Sequence, residues 1–182
     1  MAKIILGFMG EMACGKGTAT RYVVEKYKGK SYRFSTMLRD ILDRLYLEQS
    51  RENMQRLSTI LRQNFGEDLL SGVIVEDVKK EKSPVIVLDG IRRLTDIEKL
   101  KNFPEFKMVY IETDIKKCYE RIIGRRENAD DANKTFERFK NEHNNESELL
   151  IKELKSHADY VIDNNGSLED LYKQLDKIIN LN

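Results

Sequence analysis

The sequence predicts a three-layer α/β/α fold around a five-stranded parallel sheet, and three observations carry that prediction. Short apolar runs alternate with helical patterns along the whole chain. Several of the runs, such as residues 85–88 (VIVL), are continuously apolar, as strands covered on both faces must be. The first run (Ile4, Ile5, Leu6, Phe8) leads through a glycine-punctuated loop straight into an amphipathic helix.

That helix is predicted over residues 15–28, with Val23, Val24 and Tyr27 facing inward and Gly29 as its stop. A second strand follows at 31–34 (SYRF). The next helix runs from 35 to about 47, with Ser35 or Thr36 as N-cap. Another covers 50–65, carrying Met54, Leu57, Ile60 and Leu61 at helical spacing, and Gly66 stops it. A third helical piece spans 68–80. Such a stretch is too long for a plain crossover between strands, so it reads as an insert.

Ser83-Pro84 turns the chain into a third strand at 85–89 (VIVLD). A helix at 95–101, a strand at 107–112 (KMVYIE) and a helix from 114 to about 126 follow. Polar residues 127–134 break the pattern before a long charged helix at 135–156. The fifth strand is 159–163 (DYVID), Asn164-Asn165-Gly166 turns the chain, and 168–179 packs back as the last helix.

A chain of 182 residues with 40% hydrophobic and 35% charged residues is one globular domain with a substantial core. Lys+Arg 32 against Asp+Glu 31 leaves a net charge of +1, which gives no global pull towards nucleic acid or membrane. No apolar run approaches the roughly 20 residues that span a bilayer, and the N-terminus lacks a signal-peptide layout. Cys14 and Cys118 offer neither metal-ligand spacing nor a disulfide framework, so a reducing cytoplasm is expected. There is no Ser/His/Asp arrangement or histidine cluster, and His143 and His157 read as solvated helix-surface residues.

The chemistry begins in the loop, which spells G-x-x-x-x-G-K-G-T from Gly10 to Thr18. A loop of this spacing wraps backbone N–H groups around a di- or triphosphate, with the positive end of the following helix aimed at the anion. Gly10, Glu11, Met12, Ala13, Cys14, Gly15, Lys16, Gly17 and Thr18 are thus the expected binding residues for a nucleotide's phosphates, Lys16 reaching the terminal ones. A dinucleotide fingerprint fits less well, because its third glycine would fall at Thr20. Gly17 stands where most such loops place a hydroxyl for Mg²⁺. Thr18 is therefore expected on a phosphate oxygen, with the metal held through water. Asp89, ending an apolar strand on the same sheet edge, is placed to orient the hydration shell of that Mg²⁺.

The GKGT variant resembles the phosphate loop of the nucleoside monophosphate kinases, the adenylate kinase-like P-loop enzymes. Asp89-Gly90-Ile91-Arg92-Arg93 is similar to that family's Asp-Gly-Phe-Pro-Arg, with Ile91 and Arg92 in place of Phe and Pro. The resemblance implies that Arg93 grips the acceptor's phosphate. Ser35-Thr36-Met37-Leu38-Arg39 resembles Ser-Thr-Gly-Asp-Met-Leu-Arg shortened by two residues, which implies acceptor contacts at Ser35 and Arg39. Arg39 taken alone reads as a solvated helix residue, and Arg62 is a weaker third candidate for the same phosphate. Two guanidiniums on one phosphate make sense because their forked donors fix its oxygens bidentately.

Arg121-Ile-Ile-Gly124-Arg125-Arg126 matches Arg-x-x-Gly-Arg-Arg at the start of the family's lid. It implies that Arg121 and Arg125, one helical turn apart, neutralise charge on the transferred phosphoryl group, Arg121 also contacting ATP. The lid is short, carries no zinc cysteines, and has Arg138 one place off the family's second arginine. The implied division is a P-loop core (1–34, 84–120 and 157–182), an acceptor-binding helical insert (35–83) and a lid region (121–156).

The stretch 158–179 is similar to the last strand and helix of dephospho-CoA kinases, relatives on the same fold. Those enzymes place an acid as catalytic base just beyond the second strand, where this chain has Ser35-Thr36. The expectation is an ATP- and Mg²⁺-dependent phosphotransferase acting on a nucleoside or deoxynucleoside monophosphate. Lys16, Arg93, Arg121 and Arg125 are its catalytic group. The alternatives are a dephospho-CoA kinase and a P-loop nucleotide-binding regulator with little turnover. Expected partners are small nucleotides, with no nucleic acid or membrane, in a monomer or small homo-oligomer.

Overall fold

The computed structural model describes residues 3–125, 134–143 and 146–181, excluding the side chains of Arg51, Arg125 and residues 146–148. The strands are β1 (Ile4–Met9), β2 (Lys30–Arg33), β3 (Val85–Asp89), β4 (Phe106–Glu112) and β5 (Tyr160–Asp163). They lie in one parallel sheet in the order β2-β3-β1-β4-β5. β1 is central, paired with β3 on one side and β4 on the other, so the chain leaves it at the point where the sheet's winding reverses. Crevices for ligands form at that point, beyond the strands' carboxyl ends.

Side chains alternate between the two faces, and each face builds its own core. Ile4, Leu6 and Phe8 pack with Val23 of α1 (Lys16–Tyr27), Ile122 of α5 (Ile115–Arg125) and Leu171 and Leu175 of α8 (Leu168–Asn180). Ile5 and Met9 point the other way, to Leu38 of α2 (Phe34–Arg44) and to Ile74 and Val78 of α4 (Leu69–Lys80). Between these two helices lies α3 (Arg51–Phe65), N-capped by Ser50 and closed at Gly66. The result is three layers, as the alternation of elements implied.

Three local expectations are corrected. Residues 95–101 form two 3₁₀ turns, Leu94–Asp96 and Leu100–Asn102, because Asp96 ties down the preceding loop while Ile97 and Leu100 both drop fully into the second core. The expected helix 135–156 is broken into α6 (Phe136–His143), α7 (Glu146–Glu153) and a 3₁₀ turn at Leu154–His157. Phe139 enters the first core whereas Ile151 and Leu154 enter the second, and one straight helix cannot serve both faces of a sheet. Finally, α2 begins directly off β2 with no side-chain cap, leaving Ser35 and Thr36 in its first turn.

The junction between α4 and the edge strand β2 is pinned by Glu81. Its carboxylate accepts from the Ser83 N–H (2.9 Å), the Lys82 N–H (2.8 Å) and the Tyr32 hydroxyl (2.8 Å). These bonds, the Ser83 N–H foremost, pull its pKa from 4.5 to about 2. A depressed carboxylate stabilises the fold fully above pH 4.5 and stops doing so as pH falls through 2. Glu81→Gln should therefore lower stability at neutral pH and flatten the acid limb of a Tm-against-pH curve over that window.

Candidate active site

The phosphate loop is shaped by positive φ at Gly10 (142°), Ala13 (60°) and Gly15 (108°). A Cβ on Gly10 would collide with the Ile111 carbonyl and with Cys14 Sγ (2.6 Å), and one on Gly15 would strike the Asn164 amide. Both positions thus require glycine. The loop is also held from outside. The Cys14 carbonyl accepts from Asn164 Nδ2 (2.7 Å), Thr113 Oγ1 (2.9 Å) and Arg121 Nη1 (3.3 Å). Arg121 Nη2 donates onward to the Asn164 carbonyl (2.9 Å). Thr113 and Asn164 escaped the sequence reading, although each directly follows the carboxyl end of a strand, β4 and β5.

Lys16 turns its ammonium back into the loop, 2.5 Å from the Gly10 carbonyl and 2.9 Å from that of Glu11. It lines a cavity of about 60 Å³ with Gly10, Met12, Gly90, Ile91, Arg92 and Ile151. Ile151 belongs to α7, which therefore borders the loop. Lys152 of the same helix is 3.2 Å from the Glu11 carboxylate, and His143 Nε2 lies 3.9 Å from it. His143 is buried against Phe139, a correction to its reading as a solvated residue. Burial, with Cys14 nearby, pushes the Cys118 thiol up to about 12, so it stays protonated at neutral pH.

Asp89 ends β3 beside Phe8 of β1 and Arg33 of β2. Its buried carboxylate does not stand alone: Arg33 Nε and Nη2 reach Oδ2 at 3.0 and 2.9 Å. No described residue hydrogen-bonds Oδ1. Arg33 is a further residue the sequence reading missed, since the contact exists only because β2 pairs with β3 in that register.

The following loop is organised by Asp96, which is 2% exposed. Its Oδ2 accepts the N–H groups of Arg92 (3.0 Å) and Arg93 (3.1 Å), and its Oδ1 takes Arg62 Nη2 at 2.6 Å. Arg62 also donates to the Glu67 carbonyl and, at 3.4 Å, to Ser58 Oγ. Each of its guanidinium nitrogens thus has a partner inside the protein, so Arg62 braces the loop instead of facing an acceptor. The Arg93 guanidinium, by contrast, is half exposed, 3.4 Å from Glu67. It lines a cleft of about 310 Å³ with Glu67, Leu94, Thr95, Leu150 and Glu153.

The expected residues are thus gathered only in part. Lys16 and Arg92 share one cavity, Arg93 lines the next, and Arg121 is joined to the loop through the Cys14 carbonyl. Arg39 donates to Gln49 Oε1 (2.9 Å) and lines neither cavity, so the expected pairing of Arg39 with Arg93 on one site is not present. Ser35 is half-buried and Thr18 exposed, each in the first turn of its helix. The Arg125 side chain and the whole of Arg126 lie outside the described residues. Arg138 pairs with Glu142 of its own helix at 3.4 Å.

Residues 9–140 match a family model described as AAA domain. A UPF0200 protein of Staphylothermus marinus is 32% identical over 142 residues, covering 78% of this chain and 74% of that relative. The chain belongs to the UPF0200 family and carries an AAA domain. Among solved structures, TT1252 from Thermus thermophilus superposes with a TM-score of 0.62 at 15% identity, covering 100% of this chain and 98% of that one. A shikimate kinase from Bacteroides thetaiotaomicron gives 0.59 at 13% identity, covering 98% and 97%. Likeness at that identity speaks for the fold, the three-layer arrangement of P-loop kinases. Family and fold together make this UPF0200 protein an AAA-domain chain with a three-layer α/β/α fold.

Proposed function

We propose that the protein moves the γ-phosphoryl group of ATP to a nucleoside or deoxynucleoside monophosphate, assisted by Mg²⁺. The observation that carries this reading is Arg33. At the end of β2, close to where dephospho-CoA kinases place their base, this chain has an arginine, and it already neutralises the buried Asp89. An arginine cannot take a proton from a hydroxyl. A phosphate acceptor needs no such base, because its oxygen is anionic from the start. Arg93, half exposed in a cleft lined by Glu67 and Thr95, is the residue we assign to that phosphate.

The division of labour follows. The loop N–H groups and Lys16 hold the donor's phosphates, Arg93 orients the acceptor, and Arg121 adds charge beside the loop. Among the described residues no group of three or more His, Cys, Asp or Glu side chains could cage a metal. The donor set still fits Mg²⁺, which favours oxygen and keeps its waters. Asp89 Oδ1 and the Thr18 hydroxyl would hold it through water, and the ion would supply charge neutralisation between phosphates. No helix among the described residues is long and apolar enough to cross a membrane. We place the protein in the cytoplasm as a monomer or small homo-oligomer.

An ADP-release assay over the ribo- and deoxyribonucleoside monophosphates and dephospho-CoA tests the proposal. We expect turnover with one or a few monophosphates. Turnover with dephospho-CoA alone would transfer the assignment to that acceptor. ATP binding with no acceptor-dependent turnover would leave a nucleotide-binding regulator.

A further inference from the structure

We propose that Arg33 is a switchable anion ligand: it rests on Asp89 while the phosphate site is empty, and turns onto the acceptor's anionic group once a nucleotide-borne cation neutralises Asp89. The idea deepens the kinase reading and rests on it for the identity of the acceptor.

The two partners differ in how firmly they are placed. The Asp89 side chain is 9% exposed and that of Arg33 is 52% exposed. A buried carboxylate needs a cation, whereas a half-solvated guanidinium on a four-residue edge strand is free to leave. The grip is also one-sided. Arginine commonly spans both oxygens of a carboxylate, but here Nε and Nη2 converge on Oδ2 alone, leaving Oδ1 unspent.

Arg33 Cγ lies 3.8 Å from where a Cβ on Gly90 would stand, and Gly90 lines the cavity that holds the Lys16 ammonium. Arg33 therefore sits at the border of the phosphate site, and among the described residues Asp89 is the partner that keeps its guanidinium there. Two cations on one carboxylate weaken each other's hold. Charge delivered to Oδ1 loosens Arg33, whose planar fork suits a phosphate.

The test uses binding alone, on the full chain. The donor site is filled with AMP-PNP, with or without Mg²⁺, and inorganic phosphate serves as acceptor probe in calorimetric titrations. In the wild type, phosphate should bind roughly tenfold tighter when Mg²⁺ accompanies AMP-PNP. Arg33→Gln should reduce that coupling to less than about twofold, and Arg33→Lys should keep part of it. The free Mg²⁺ at half-saturation of AMP-PNP binding should fall about threefold in Arg33→Gln, because the competitor for Asp89 is gone.

Wild-type coupling or an Mg²⁺ midpoint that Arg33→Gln leaves unmoved overturns the proposal. So does a variant that only melts earlier, since a plain structural pair would do that. If Arg33→Gln does not fold, Arg33→Lys decides, with a loss of coupling of at least about threefold expected and an unchanged coupling overturning the idea. Because no turnover is read, failure of the acceptor screen and failure of this proposal are separate results.

Discussion

Lys16→Ala is expected to cut acceptor-dependent ADP release by about 10³-fold or more while the circular dichroism spectrum stays unchanged. The ammonium is the one positive side chain inside the loop, held 2.5 Å from the Gly10 carbonyl and ready to exchange that contact for a phosphate oxygen. Its loss removes charge stabilisation that the backbone N–H groups cannot replace. The fold should lose only about 1 kcal/mol, the net worth of a typical hydrogen bond. Lys16→Arg should rescue little, since a planar fork cannot follow the point charge into a cavity of about 60 Å³. Turnover within about tenfold of wild type in the alanine variant would remove the loop from the chemistry.

Asp96→Ala should be the most damaging single change to stability, by about 3–5 kcal/mol in urea unfolding. It strands the Arg62 guanidinium at 6% exposure and leaves the N–H groups of Arg92 and Arg93 without their acceptor. Arg62→Met should cost less, because Asp96 keeps those two backbone donors. A double-mutant cycle should give a coupling of about 1–3 kcal/mol, the second substitution adding little to the first. Additive effects would mean that the pair does not act as a unit. The Asp96 variant should also lose acceptor affinity, because the turn that aims Arg93 into its cleft is the one Asp96 ties.

Both predictions show what could be read in the sequence. The phosphate loop was legible because its chemistry is local: a fixed spacing from Gly10 to Thr18, at the junction of a strand and a helix. The inner strands β1 and β3 were legible because apolar runs ended in turn residues. What stayed hidden is non-local. Arg62 and Asp96 are 34 positions apart, and Arg33 meets Asp89 across 56. No periodicity marks such pairs. The charged stretch 135–156 misled for another reason: its polar residues fit a solvated helix, but Phe139 and Ile151 belong to opposite faces of the sheet and the chain must bend to deliver them. Arg39 had a family-like neighbourhood, yet its guanidinium donates to Gln49, a partner ten positions away that no motif marks.

The triple grip on the Cys14 carbonyl has a consequence for engineering. Donors from positions 113, 121 and 164 converge there, so the anion cradle is not a portable cassette. Grafting residues 3–24 into a foreign parallel sheet would transplant the spelling without its scaffolding. A chimera that retains nucleotide affinity should have to import the strand-end threonine and asparagine, and the arginine between them, along with the loop.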